Sequence, residues 1–252
     1  MIDLQRAENS KRIFAFLTDL ILMSILTAGI YLLLSWMLNV DSYSEKYDGI
    51  KEEYEQLYNV KFGLSQEEYD KLEQSEKNNY KAAVDAMNSD EEASSAIKKS
   101  YSLSIGIFLG GIIVSFVVFG FIVPLILKEG RTAGKRLFGL AVIRSGFTHA
   151  SPVVIFTRNV IGTGVFEIIL PIMIFLSSLM NLTGVFGIIL LVIFIAAELI
   201  VFAKSSGHRL LHDVLADTVV VDWASQRVFD TPEERDRFIE EEKSRREESR
   251  LY

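Results

Sequence analysis

Four apolar runs, each near the roughly 20 residues needed to cross a bilayer, confine this 252-residue chain to a narrow set of folds. They cover about 13–40, 101–127, 160–180 and 184–203. In hydrocarbon every backbone N–H and C=O must be satisfied within its own segment, so each run reads as a helix. Only Asn181-Leu-Thr-Gly184 separates the third run from the fourth, and its Asn and Gly mark a tight turn. The expected fold class is therefore all-α, a polytopic transmembrane helical bundle of four spans. Half of the residues are apolar and 23% are charged, and the two classes are segregated along the chain. That is the profile of a membrane protein with sizeable soluble parts. The first run is too long for a signal-peptide h-region and has no small-x-small cleavage site, so it is expected to be retained.

Loop charge sets the expected orientation. The segment 1–12 carries Arg6, Lys11 and Arg12. The segment 128–159 carries Lys128, Arg131, Lys135, Arg136, Arg144 and Arg158 against Glu129 alone, and 204–252 opens with Lys204 and Arg209. All three belong in the cytoplasm by this rule. The acidic stretch 41–100 falls on the other side. A multi-pass plasma-membrane protein with both termini cytoplasmic satisfies every loop.

The 41–100 insertion has helical periodicity. Tyr43, Tyr47, Ile50, Tyr54 and Leu57 form one stripe, and Tyr69, Leu72, Ala83 and Met87 form a second. Ser65-Gln-Glu-Glu68 is a capping box, and Ser89-Asp-Glu-Glu92 reads as another. An extracytoplasmic helical hairpin is expected, either a spacer or the docking module for a protein partner. In the tail, Thr231-Pro-Glu-Glu234 opens a charged cytoplasmic C-terminal helix laced with Glu233/Arg237, Glu241/Arg245 and Glu242/Arg246 pairs.

Three acids interrupt the apolar runs. Asp19 follows Arg12 by seven residues, close to two turns, so the two share a helix face about 10 Å apart in height. Glu167 is about 13 Å in from Arg158, and Glu198 about 9 Å in from Lys204. All three fall at a similar depth. A carboxylate in mid-bilayer costs about 2.5–3.5 kcal/mol on insertion scales. Acids on three helices at one level, ringed by Arg12, Arg158 and Arg136, form either a cation-binding or proton-relaying cluster or an ion-pair network that locks the helices. Asp213 is expected to return and pair with an arginine near the membrane surface.

Several chemistries lack support. There is no cysteine, so thiolate sites and disulfides are excluded. His208 and His212 stand i, i+4, but no third ligand is fixed near them, so no metal site is read. The Gly130–Gly139 segment fails as a phosphate loop: its first two glycines are four apart, and Arg136 replaces the Ser/Thr. It reads better as an interfacial helix, with Leu137, Phe138, Leu140 and Ala141 toward the acyl boundary and Lys135 and Arg136 on lipid headgroups. No basic stripe with interleaved aromatics supports nucleic-acid binding. No catalytic residues, no cofactor and no enzymatic activity are expected.

Arg12 and Asp19 in Lys11-Arg-Ile-Phe-Ala-Phe-Leu-Thr-Asp19 and Asp213 in Leu211-His-Asp213 together resemble the RDD family of membrane proteins, which is named for one Arg and two Asp. Gly130-Arg-Thr-Ala-Gly134-Lys-Arg-Leu-Phe-Gly139 and Arg158-Asn159 also look like that family's segments. The resemblance covers about 10–221; the 41–100 insertion and the acidic tail depart from its simplest pattern. It implies the four-span architecture and a polar site of Arg12, Asp19 and Asp213; the depths of the acids add Glu167 and Glu198, with Arg158 beside them, as assisting residues. It also implies transport of a small solute or cation coupled to protons. The other function left open is a non-transporting membrane scaffold or assembly subunit that binds a protein through its outer loop. Four spans with no obvious internal repeat suggest that a transporter of this size would form a homo-oligomer.

Overall fold

The structure is a computed structural model that describes residues 4–205 and 209–248. Its elements in chain order are α1 (Asn9–Met37), α2 (Val40–Tyr58), α3 (Gln66–Asp70), α4 (Gln74–Ser89), α5 (Glu91–Leu127), α6 (Ala133–Leu137), β1 (Leu140–Arg144), α7 (Pro152–Leu179), α8 (Gly184–Lys204), α9 (Leu211–Leu215), β2 (Thr218–Asp222) and α10 (Pro232–Glu248). Among the described residues, α1, α5, α7 and α8 are the four helices long and apolar enough to cross a membrane. With 75% of the residues helical, the all-α membrane architecture holds. The third helix opens at Pro152, where the Ser151 hydroxyl accepts from Val154 N–H (3.4 Å) and the N1 proline needs no donor, rather than near Val160.

Two compact units divide the chain, 24–114 and 1–23 with 115–252. In the first, Asn39 (φ 51°) breaks α1 from α2 in the left-handed region. α2 packs on α4 and ends at Asn59 (φ 52°). Phe62, Tyr69 and Tyr80 cluster edge to face, with centroids 5.8 and 5.4 Å apart. The Ser65 capping box forms as expected. At the start of α5 the cap is Asp90, whose Oδ1 accepts from Glu92 and Ala93 N–H at 2.8 and 2.9 Å, one residue beyond the expected Ser89.

The second unit contains what the periodicities missed, a two-stranded antiparallel sheet. β1 pairs with β2 from Leu140↔Asp222 to Arg144↔Thr218. Both strands are buried on both faces, which explains their unbroken apolar character. Ala7, Ala15 and Phe138 cover one face; Leu4, Trp223 and Val228 cover the other. The interfacial helix expected through Ala141 stops at Leu137. Gly139 (φ +69°) ends it, and Leu140 and Ala141 are fully buried in the sheet instead of meeting lipid. The best-packed core of this unit lies beside the spans, because helix faces that meet acyl chains need no protein partner.

Two of the spanning helices widen into π-helix, at Val118–Ile122 in α5 and Thr157–Ile169 in α7. Each wide stretch comes just before a proline, Pro124 or Pro171, which has no N–H to offer the carbonyls one turn back. Gly120 O, four residues before Pro124, instead accepts from Asn159 Nδ2 at 2.5 Å. α7 and α8 join through Asn181 (φ 59°) and Gly184 (φ 54°). A Cβ at Gly187 would stand 2.5 Å from Thr183 Oγ1 and 3.0 Å from Ser178 Cβ, so a side chain there would force this turn apart.

Candidate functional site

Two short helices outside the spans dock onto the spanning helices of this unit through charge, and a strand supports one of them. α9 lies against the π-helical stretch of α7 because Gly162 lets it: a Cβ there would come within 2.6 Å of His212 Cβ. α6 lies against α1 for the same reason. A Cβ at Gly134 would collide with the Ala15 carbonyl oxygen. β2 then carries Thr218 under α9.

Asp213 is fully buried at the centre of the site. Its Oδ1 takes Arg158 Nε at 2.9 Å, Arg158 Nη2 at 2.8 Å and Thr218 Oγ1 at 3.1 Å. Arg12 Nη2 lies 3.6 Å from Oδ2. Burial alone would raise the Asp213 pKa, but Arg158 and then Arg12 outweigh it and hold it at about 2. The arginine expected to meet Asp213 is therefore a pair, Arg12 from the start of α1 and Arg158 from α7.

Arg158 is 4% exposed and its fork is fully engaged. Nη1 donates to Asn159 Oδ1 at 3.0 Å, and Nη2 donates to His212 Nε2 at 2.9 Å. A guanidinium only donates, so Nε2 must accept, and the ring proton sits on Nδ1. From there it points at both oxygens of Glu167, 2.7 and 2.8 Å away. His212 is thus a neutral tautomer fixed between a permanent cation and a carboxylate. Burial, then the charge of Arg158, lowers its pKa below the usual value. The chain of contacts runs Glu167–His212–Arg158–Asp213–Arg12, buried at its three central members and half-buried at its ends.

The three intramembrane acids share one further property. Each accepts a backbone N–H from a short helix outside the spans. Glu167 Oε1 takes His212 N–H at 2.9 Å, and Glu198 Oε2 takes Leu211 N–H at 3.2 Å. Asp19 Oδ1 takes Gly134 N–H at 2.7 Å, while its Oδ2 takes Thr132 Oγ1 at 2.5 Å. These N–H groups belong to the unpaired first turns of α6 and α9. Glu198 differs in one respect. Its Oε1 is buried without a hydrogen-bond partner among the described residues, with the Glu167 carboxyl as neighbour.

Lys135 is half-buried and has the charges of Arg158, Asp19, Asp213 and Arg12 around it. Burial first, then repulsion from Arg158, lowers its pKa to about 8. Arg136, its neighbour, is exposed. His208 lies outside the described residues. Among those that are described, no group of His, Asp and Glu is arranged to hold a metal. Sequence reasoning missed His212 as a network member, along with Asn159, Thr132, Gly162 and Thr218. The available signals were Asn beside Arg158 and the glycine at 162.

A family model described as the RDD family matches residues 6–217. No curated protein and no solved structure matches the chain.

Proposed function

We propose, from the premise that this chain belongs to the RDD family and is an integral membrane protein, that it carries a small solute or cation coupled to protons across the plasma membrane. Both termini would lie in the cytoplasm, where the basic segments 1–12, 128–159 and 204–252 belong. The observation that carries this reading is the third span. Thirteen consecutive residues, Thr157–Ile169, are π-helical and hold Arg158, Asn159 and Glu167. Such wide turns are rare and concentrate at functional sites. Beside them Glu198 Oε1 is buried without a hydrogen-bond partner among the described residues. In this reading the exchanging groups are Glu198 and Glu167, with His212 between Glu167 and Arg158. Arg12, Arg158 and Asp213 form the fixed frame, and Asp19 docks α6.

The test is cation-driven proton flux in sealed vesicles containing the purified protein. Flux is expected in wild type and lost in folded Glu198→Gln. Absence of flux in wild type with Na⁺, K⁺ and Li⁺ would overturn cation antiport. Full flux in Glu198→Gln would remove Glu198 from the mechanism.

One observation favours a second reading, a non-transporting scaffold or assembly subunit that presents its 41–100 insertion to a protein partner. All three intramembrane acids are used as helix caps, which a lock requires and a carrier does not. Deleting 41–100 would then cost the partner while sparing the fold of the remainder.

A further inference from the structure

We propose that the junction of α5 and α6 is a binding surface for an anionic phospholipid, with Lys128 and Arg136 on the headgroup phosphate and Ile126 and Leu137 against the acyl chains. The end of α5 packs on α6, and Arg131 N–H donates to Lys128 O at 3.1 Å, closing the turn by which Lys128 leads into the helix that carries Arg136. Both are exposed. Glu129, the only acid between them, is taken by Arg131, and among the described residues no acid pairs with Lys128 or Arg136. Cations left unneutralised at the end of a span suit a phosphate.

The apolar half of the surface is equally specific. Ile126 and Leu137 are each 71% exposed, although Leu137 lies outside the four spans. Phe138, next to Leu137, stacks on Phe14 of α1 with centroids 6.1 Å apart, and Phe14 is itself 55% exposed. The apolar patch is therefore continuous with a face that meets acyl chains, which argues for a lipid rather than a soluble anion. α6 is held in place from behind by Asp19 and by the close approach of Gly134 to Ala15. Lys135 is turned toward the buried charges and takes no part. The surface is independent of the transport reading, since it needs only that the protein spans a membrane.

The test uses the full purified chain in mild detergent, titrated with phosphatidylglycerol or phosphatidylcholine and read by native mass spectrometry. Wild type should prefer phosphatidylglycerol, by about fivefold for each headgroup-paired cation. The double variant Lys128→Gln/Arg136→Gln should lose that preference. Both side chains are exposed, so the variant should elute as wild type does. Lys135→Gln should retain the preference. Glycerol phosphate, which lacks acyl chains, should not compete. Equal binding of the two lipids to wild type, an unchanged preference in the double variant, or full competition by glycerol phosphate would each overturn the proposal.

Discussion

The two units of this chain solve the same problem, tying helices together, with opposite chemistry. In 24–114 the ties are a helix cap, a phenol–carboxylate hydrogen bond and an exposed ion pair. The Ser65 box spans three residues, Tyr54 reaches Asp90 at 3.0 Å, and Lys46 meets Glu92 at 2.6 Å on the exposed surface. In 1–23 with 115–252 the ties are buried, charged and long-range. Arg12 meets Asp213, and β1 meets β2. Removing one partner of an exposed pair leaves the other to water, whereas removing one partner of a buried pair strands a charge. The stability of the two units should therefore respond very differently to single substitutions.

The largest contrast is expected at Arg158. Arg158→Ala leaves Asp213 fully buried beside the more distant Arg12, and breaking a buried pair in this way costs about 3–5 kcal/mol. Thermal unfolding in detergent should show most of the cooperative transition lost. A small shift would mean that Arg12 alone can balance Asp213.

A medium effect is expected with pH. The folded-state pKa of His212 is lowered, so below the ordinary value of about 6.5 the unfolded chain binds a proton that the folded chain resists. Stability should be steady above that pH and fall as pH drops through it. His212→Asn, whose Nδ2 can still donate to Glu167, should flatten the decline between pH 7.5 and 5.5. A decline of equal size in the variant would place the titrating group elsewhere.

The smallest effect belongs to the insertion. Ser65→Ala should cost about 1 kcal/mol, typical for losing an N-cap, and hydrogen exchange should rise in α3 while β1 and β2 keep their protection. Exchange rising in both places would erase the contrast between the units.

The same difference governs what could be read from the chain beforehand. The four runs, the α2 periodicity and the Ser65 box are properties of short windows: four spanning helices and the box are present, although α5 and α7 open earlier than 101 and 160 and Leu57 of the stripe is exposed. The cap of α5 missed by one residue because Ser89 and Asp90 are both good caps and only the chain path chooses between them. Arg12 and Asp19 do share a helix, but seven-residue spacing says nothing about a third element arriving between them. Arg12 pairs with Asp213 and Asp19 binds α6. β1 was hidden because Leu140–Arg144 is brief and follows a helical turn, and the strand that makes it one lies beyond two further spans. His212 looked like half a metal motif. Its actual role depends on Arg158 and Glu167, which no local spacing connects to it.

The seam between β1 and β2 also has a consequence in time. Arg144 and its partner Thr218 are 74 residues apart in the chain. At about 5–20 residues per second, synthesis takes several seconds to cover that distance. Throughout that interval β1 has no strand to pair with, and from residue 158 to residue 213 both Arg12 and Arg158 await their shared counter-ion Asp213. Early in its biogenesis this protein is two arginines in search of an aspartate. Whatever receives the nascent chain must tolerate both cations until the last segment of the matched region arrives and neutralises them.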